Sequence, residues 1–275
     1  MKSDSVKLKL GVVGCGAIGS RIALSVMKEL KGRFTLCALY DIDQAKVKHL
    51  TGRLKLRGGA VTTLDDLIRR SDIIVEAVNT PATTDIVRRS LKAGKNVLVM
   101  SIGRLLNDSS LFYLAQRSKG QLLLPSGAVA GLDAIKAAAL LGITSLTLTS
   151  RKPPAGFADN PYIKEKGISL KGLAKDIVLF DGKVKDAVRY FPQNINVAAA
   201  VALAAGVKAK LRVKIIASPE VKRNTHEVVL EGAFGRITTR TENTVCPDNP
   251  KTSYLAVMSG IRTLQEFSSN IKIGT

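Results

Sequence analysis

The sequence predicts an α/β protein: a doubly wound parallel sheet joined to a second, smaller α+β domain. Two observations carry this prediction. The first half of the 275-residue chain alternates short β-rich runs with helical patterns, which is typical of βαβ units with helices on both faces of a parallel sheet. The second half loses this alternation and contains strand pairs. A chain of this length can bury a core without disulfide or metal staples.

The predicted strands of the first half are short and rich in β-branched residues, and helical patterns separate them. In chain order the predicted elements are strand 6–13, helix 17–30, strand 34–40, helix 43–50, helix 64–70, strand 73–78, helix 83–93, strand 96–100, helix 111–118 and strand 121–124. We expect the crossovers between parallel strands to be right-handed.

The second half is predicted to hold a mixed or antiparallel sheet. Its predicted elements are strand 145–150, helix 186–190, helix 194–205, strand 213–217, strand 226–231, strand 236–240 and helix 252–267. The last helix, which Thr252 or Ser253 is expected to cap, is predicted to return to the first domain. The predicted domains are therefore residues 1–126 with 246–275, and residues 127–245.

The charge balance is strongly basic, with 42 Lys and Arg against 22 Asp and Glu, a net charge of +20. This charge indicates either anionic partners or a solvated basic surface. The basic residues are spread along the chain and aromatic residues make up only 4%, so base stacking on nucleic acid is not favoured. No apolar run approaches the ~18–20 residues of a membrane span.

Cysteine and histidine are scarce. Three cysteines without a CxxC pair favour a reducing cytoplasm, and two isolated histidines make a structural zinc site unexpected. The GxSxG, Walker, HExxH and EF-hand patterns are absent, which excludes the commonest hydrolase, nucleotidase and metal classes.

The strongest local motif is Gly14-Cys-Gly16-Ala-Ile-Gly19, which directly follows a predicted strand and opens a predicted helix. In this Rossmann-type context Gly14 permits a tight turn, Gly16 lets the backbone approach a pyrophosphate, and Gly19 allows close helix–strand packing. The free N–H groups of Ala17 and Ile18 at the helix N-terminus favour phosphate.

An acidic residue completes the dinucleotide motif. Asp41 ends the second predicted strand, 22 residues beyond Gly19, where a carboxylate accepts the ribose hydroxyls of NAD. NADP stays possible, because Arg21, Lys46 and Lys48 lie nearby in the sequence and can accommodate a 2′-phosphate.

Three further strand ends are predicted to line the same crevice, because ligands bind beyond the carboxyl ends of parallel strands. They supply Ala77 and Asn79 after the third strand, Ser101 after the fourth, and the Ser126-Gly-Ala128 turn after the fifth.

Proton transfer near neutrality favours a histidine. His49 lies on a polar helix and is expected to be exposed and inert, which leaves His226, at a strand start, as the candidate. Lys152 is expected to pair with a substrate carboxylate or to lie on the surface. Asn194 and Asn196, at a predicted helix start, are expected to bind a carboxamide or carboxylate, or only to cap the helix.

These motifs together resemble the L-aspartate dehydrogenase family of archaea and bacteria. The matching stretches begin at Gly11, Ser126, Arg151, Tyr190, Asn224 and Asn249, and read GVVGCGAIG, SGA, RKPP, YFPQNINVA, NTHE and NPKTSYLA. These stretches span nearly the whole chain. The most specific are the FPQNINVA and NPKTSYLA runs. Ala130 departs from the pattern, because a second glycine is expected there.

The resemblance implies NAD-dependent, and possible NADP-dependent, oxidation of L-aspartate to iminoaspartate, which yields oxaloacetate and ammonia or feeds NAD synthesis; it also implies a cytoplasmic homodimer that needs no metal. It implies that His226 is the acid/base and that Asn196 and the loop from Ala128 to Ala130 contact the nicotinamide. The full predicted cofactor set is Gly14, Gly16, Ala17, Ile18, Gly19, Asp41, Ala77, Asn79, Ser101, Ala128, Ala130 and Asn196, and the predicted substrate contacts are Lys152 and Asn194.

Two alternatives stay open on the sequence. One is a related two-domain reductase, resembling dihydrodipicolinate reductase or homoserine dehydrogenase. The other is a noncatalytic, NAD-responsive nucleic-acid-binding protein, which the charge of +20 favours but no nucleic-acid-binding motif supports.

Overall fold

The computed structural model describes residues 6–78, 80–191, 195–206, 210–247 and 249–274, with the backbone alone described at 249–251. The chain divides into two compact units. The first comprises Met1–Pro125 with Val257–Ile271, and the second comprises Ser126–Ala256 with Lys272–Thr275.

The first unit contains a five-stranded parallel sheet, as the sequence predicts. The strands are β1 (Leu8–Val13), β2 (Phe34–Tyr40), β3 (Ile73–Glu76), β4 (Asn96–Val99) and β5 (Leu122–Leu123), in the spatial order β2-β1-β3-β4-β5. The chain reverses its direction of travel across the sheet between β1 and β3. This topological switch point opens a crevice at the carboxyl ends of those two strands.

The helices of the first unit connect successive strands. They are α1 (Ala17–Lys28), α2 (Gln44–Leu54), α3 (Leu64–Arg70), α4 (Thr83–Lys92) and α5 (Ser109–Arg117). Local sequence fixes their starts: the side chains of Asp43, Thr63 and Asp108 each accept a backbone N–H in the first turn of α2, α3 and α5. Fully buried Val12, Ile74 and Leu98 of the strands lie in the core beneath them.

The second unit contains a mixed five-stranded sheet and a two-stranded ribbon. Its strands are β6 (Ile143–Lys152), β7 (Ile177–Lys183), β8 (Leu211–Ala217), β9 (Asn224–Gly232), β10 (Gly235–Asn243), β11 (Val245–Cys246) and β12 (Asn249–Ser253). The large sheet has the order β10-β9-β6-β8-β7, in which only the β6–β8 pair is parallel. The helices of the unit are α6 (Leu132–Ala139), α7 (Pro161–Glu165), α8 (Val184–Tyr190) and α9 (Asn196–Ala205).

The C-terminal helix α10 (Tyr254–Phe267) begins two residues later than predicted. Residues 249–253 instead form β12, which pairs with β11, and the Tyr254 N–H donates to the Thr244 carbonyl over 2.8 Å. Residues 246–256 therefore lie in the second unit, where the sequence had placed them in the first. From Val257 onward the helix belongs to the first unit, and Arg33 donates to the Gln265 carbonyl there.

Candidate functional site

The turn between β1 and α1, together with the first turn of α1, contains two glycines, Gly14 and Gly19, at which any side chain would collide with neighbouring backbone atoms. Gly14 has a φ of +99°, and a Cβ built on it would lie 2.6 Å from the carbonyl oxygen of Ala77. A Cβ on Gly19 would overlap the carbonyl oxygen of Gly14. The turn is thus pressed against the end of β3 on one side and against α1 on the other.

Gly16 differs from these two glycines, because no atom lies within 4 Å of the position its Cβ would take. It is the N-cap of α1, so it brings no capping side chain, and the first turn contains no acidic residue. No side chain of the N-cap therefore occupies the backbone N–H groups of the first turn, at Ala17 and Ile18, which lie at the positive end of the helix dipole. Such a cradle fits the pyrophosphate of a dinucleotide.

Asp41 follows β2 and is held beside this cradle by the glycine loop itself. Its Oδ2 accepts the Cys15 N–H at 2.7 Å, and its Oδ1 accepts the Asp43 N–H at 2.9 Å. A carboxylate offers about four lone-pair sites, so both oxygens keep capacity for ribose hydroxyls. The thiol of Cys15 is buried next to it, 3.8 Å from the Tyr40 carbonyl.

Glu76, the last residue of β3, is a positioning group that the sequence analysis missed. Its side chain is fully buried, and its Oε1 accepts from the Val78 N–H and the Thr83 hydroxyl while both oxygens accept from Ser101. The four bonds measure 2.9–3.1 Å. One carboxylate therefore ties the loop after β3, the start of α4 and the loop after β4 together at the crevice edge.

Two predicted cofactor residues, Ala77 and Ser101, lie at this edge. The Ala77 N–H donates to Val13 and its carbonyl faces Gly14, while Ser101 donates both its N–H and its hydroxyl to Glu76. Asn79 lies outside the described residues. An acidic residue ending a wholly apolar buried strand, Ile73-Ile-Val-Glu76, is the sequence signal that could have identified Glu76.

His226 lies on β9 in the second unit, as the third residue of that strand rather than the first. Its ring is 4% exposed, and its Nδ1 is 2.9 Å from the Ser150 hydroxyl on the neighbouring β6. Burial and the nearby charge of Lys152 lower the pKa of His226 to about 3. The sequence predicted a group that titrates near neutrality, and the difference arises because the ring is desolvated. At neutral pH the imidazole is therefore uncharged, and the same desolvation makes it a weaker base than a free imidazole.

Lys152, at the end of β6, lies on the same sheet face as His226. Ser150 pairs with His226 across the two strands, and side chains two residues apart point to one face, so Lys152 follows Ser150 on that face. Burial lowers the pKa of Lys152 to about 8. A half-buried ammonium on the same sheet face as a neutral imidazole suits a ligand that carries negative charge.

A charged cleft of about 380 Å³ lies elsewhere on the second unit. It is lined by Glu220, Val221, Lys222, Arg223, Thr225, Arg240 and Glu242. Thr225 precedes His226 and Arg240 precedes Thr241, the residue that pairs with His226. Strand alternation therefore turns the strand residues of the cleft to the opposite face of the sheet. Arg240, the cation of the cleft that lies on a strand, therefore does not belong to the face that carries His226.

The remaining predicted contacts fall on two segments of the second unit. The carbonyl oxygens of Ala128 and Ala130, which follow β5, accept hydrogen bonds from side chains of β10, and Asn196 is the first residue of α9. Asn194 lies outside the described residues. Within the part of the chain that the structure describes, no cluster of three or more metal-binding side chains and no helix able to span a bilayer is found.

One unit has a glycine turn that fits a pyrophosphate and an acid placed where ribose hydroxyls would be accepted, and the other has a buried histidine and a half-buried lysine on one sheet face. These features are typical of two-domain oxidoreductases that use a nicotinamide nucleotide. Comparison with known families agrees. Residues 14–125 match the model of the NAD-binding domain of homoserine dehydrogenase, and residues 133–267 match the model of the C-terminal domain of aspartate dehydrogenase.

Individual relatives match over the full length. The chain is 43% identical to an L-aspartate dehydrogenase of Methanosarcina barkeri over 98% of this chain and 100% of that protein. It is 43% identical, with the same coverage, to the L-aspartate dehydrogenase of Methanosarcina acetivorans. The crystal structure of aspartate dehydrogenase from Thermotoga maritima matches with a TM-score of 0.72 and 25% identity, over 98% of this chain and 100% of that one. The chain belongs to the L-aspartate dehydrogenase family.

Proposed function

We propose that the protein catalyses the NAD(P)-dependent oxidation of L-aspartate to iminoaspartate, which water converts to oxaloacetate and ammonia. The observation that carries the proposal is the buried imidazole of His226 with the Lys152 ammonium on the same sheet face, in a domain that matches aspartate dehydrogenase along its length. The homoserine dehydrogenase alternative draws support from the N-terminal half alone, since the model of residues 133–267 is the aspartate enzyme's.

The first unit binds the dinucleotide. The N-terminus of α1 holds the pyrophosphate through backbone N–H groups at Ala17 and Ile18, and Gly16 leaves the room that this approach needs. Asp41 accepts the adenosine ribose hydroxyls, which favours NAD, while NADP remains an accepted second cofactor. When bound, the nicotinamide accepts a hydride with its electron pair.

The second unit binds the substrate and moves the protons. Lys152 pairs with a carboxylate of aspartate, whose amine enters deprotonated. The Cα–H bond breaks as hydride leaves, and the nitrogen lone pair forms the C=N bond. Neutral His226 then takes a proton from the water that attacks the iminium carbon and returns it to the amine nitrogen of the adduct. The adduct expels ammonia as its new hydroxyl releases a proton and becomes the C=O of oxaloacetate. General acid–base help of this kind contributes ~10²–10⁴-fold.

We also propose that the protein acts as a cytoplasmic homodimer and that released iminoaspartate feeds NAD synthesis. The three cysteines are free thiols, which supports a reducing compartment. Sedimentation of the purified protein at several concentrations tests the dimer.

The test of the activity is a panel of amino acids incubated with the purified protein and NAD+ or NADP+, followed at 340 nm. We expect reduction with L-aspartate alone, and NADH oxidation with oxaloacetate plus ammonia. Turnover of homoserine or aspartate semialdehyde instead of aspartate would replace this proposal with the homoserine dehydrogenase alternative.

The pKa of Lys152 predicts how dicarboxylate binding depends on pH. Succinate carries two carboxylates and no amine, so its inhibition constant against aspartate reports the protein's own groups. We expect that constant to rise about tenfold per pH unit above the lysine pKa of about 8, because the ammonium loses its proton there, and to be flat just below it.

The Lys152→Arg variant serves as the conservative comparison, because a guanidinium stays charged over this range. Its inhibition constant should stay flat up to about pH 10, and the exposed Lys185→Met variant should behave as the wild type. A wild-type inhibition constant for succinate that does not rise above the lysine pKa of about 8 would show that Lys152 does not bind the carboxylate.

A further inference from the structure

The strand β10, which pairs with the strand that carries His226, has a row of hydroxyl and amide side chains on the same sheet face as His226. Thr241 lies directly opposite His226 in the β9–β10 register, just as Ser150 does in the β6–β9 register. Residues paired in an antiparallel ladder share a face, so Ser150, His226 and Thr241 form one line across three strands. Thr239 and Asn243, two positions away on either side of Thr241, point to the same face.

These three β10 side chains, which we call the polar ladder (Thr239, Thr241 and Asn243), bind the carbonyls of one loop. The Ala128 carbonyl accepts the Thr241 hydroxyl at 2.9 Å and the Asn243 amide at 3.0 Å. The Ala130 carbonyl accepts the Thr239 hydroxyl at 3.1 Å. Both lone pairs of the Ala128 oxygen are therefore used, and two alternate carbonyls of the loop are fixed to alternate residues of one strand.

The ladder is shielded from water where it holds Ala128, whereas its contact with Ala130 is exposed. Asn243 is 3% exposed and Ala128 is 4% exposed. A Cβ on Gly131, at the end of the loop, would lie 2.5 Å from the Thr239 methyl group, so the loop backbone lies against the strand. The opposite face of β10, with Thr238, Arg240 and Glu242, is exposed.

We propose that the polar ladder is a positioning device for the reaction: it fixes the loop 126–131 on the same strand pair that fixes His226. This inference rests on the proposed function and on the expectation, from the family resemblance, that this loop contacts the nicotinamide. Because the loop and the proton acceptor share one pair of strands, the placement of loop 126–131 relative to His226 depends on the ladder. Errors of about 1 Å in such placement cost up to ~10²-fold in rate.

The test uses Thr241→Val, which keeps the shape of the side chain but removes its hydroxyl, and Thr241→Ser, which keeps the hydroxyl. We expect Thr241→Val to lower kcat about tenfold or more and to raise the deuterium isotope effect on kcat with Cα-deuterated aspartate. The NADH Kd and the KM for aspartate should change by less than about twofold, a kcat-against-KM split. Thr241→Ser should restore most of the rate.

Thr238→Val is the matched control, because it makes the same change on the exposed face of the same strand. Should Thr241→Val not fold, Thr239→Val tests the same ladder through Ala130. Equal kcat and isotope effects in Thr241→Val and Thr238→Val, or an equal rate loss in Thr241→Ser and Thr241→Val, would overturn the inference. An inactive wild type would instead overturn the proposed function, so the two failures are distinguishable.

Discussion

Replacing His226 by alanine is expected to lower kcat for aspartate oxidation by about 10²–10⁴-fold, because the water that attacks the iminium carbon loses its proton acceptor. The NADH Kd is expected to stay unchanged, since the phosphate cradle and Asp41 belong to the other compact unit. Steady-state kinetics and NADH fluorescence titration measure the two quantities separately. A rate loss with intact cofactor binding separates chemistry from folding.

The other histidine of the chain supplies the control. His49 lies exposed on α2, so His49→Ala should keep wild-type turnover. His226→Asn retains a polar group beside the Ser150 hydroxyl and guards against a packing artefact in the alanine variant. Turnover of both His226 variants within about threefold of the wild type, against the 10²–10⁴-fold expected of a proton acceptor, would show that the proton acceptor lies elsewhere.

Gly16→Val is expected to fold normally and to raise the NADH Kd at least about tenfold, a loss of ~1.4 kcal/mol in binding free energy. The reason is that the Cβ position of Gly16 meets no protein atom within 4 Å, so its new side chain fills the cradle rather than the core. Thermal unfolding measures the first expectation, and titration with NADH measures the second.

Two other glycines bracket this result. Gly52→Val, in α2, also places its Cβ in open space, so it should leave both the melting temperature and the NADH Kd near wild type. Gly14→Ala should lower the melting temperature, because its Cβ would lie 2.6 Å from the Ala77 carbonyl at a backbone φ of +99°. Unchanged NADH affinity in Gly16→Val would argue against dinucleotide binding at the start of α1.

The first unit was predictable because its signals are local. The ranges 34–40 and 64–70 agree with β2 and α3, since an apolar run predicts the one and the cap at Thr63 predicts the start of the other, both within the segment itself. The second unit was less predictable. Its elements α6, α7 and β7 were missed, and α10 was predicted to start too early because residues 249–253 pair with β11 as β12. That pairing depends on a partner strand, which periodicity in a single segment does not reveal.

At the candidate site, the sequence identified the residues expected to contact the ligands, but not the residues that hold them in place through hydrogen bonds. The spacing of the glycine loop and Asp41 follows a known pattern, and His226 emerged because only two histidines exist. Ser150 and Glu76 went unnoticed because their partners lie 76 and up to 25 positions away along the chain. Both are polar residues at positions where alternation or a short buried strand calls for an apolar one, which is the signal that could have revealed them.

The cysteine that interrupts the glycine loop shows how burial settles the character of a reactive-looking group. Desolvation and the adjoining Asp41 carboxylate raise the pKa of Cys15 to about 12. At pH 7 roughly one molecule in 10⁵ then carries the thiolate, which is the form that alkylating agents and peroxides attack. Cys15 is therefore a small, unreactive residue. We expect the turn between β1 and α1 to resist oxidants that would modify an exposed thiol.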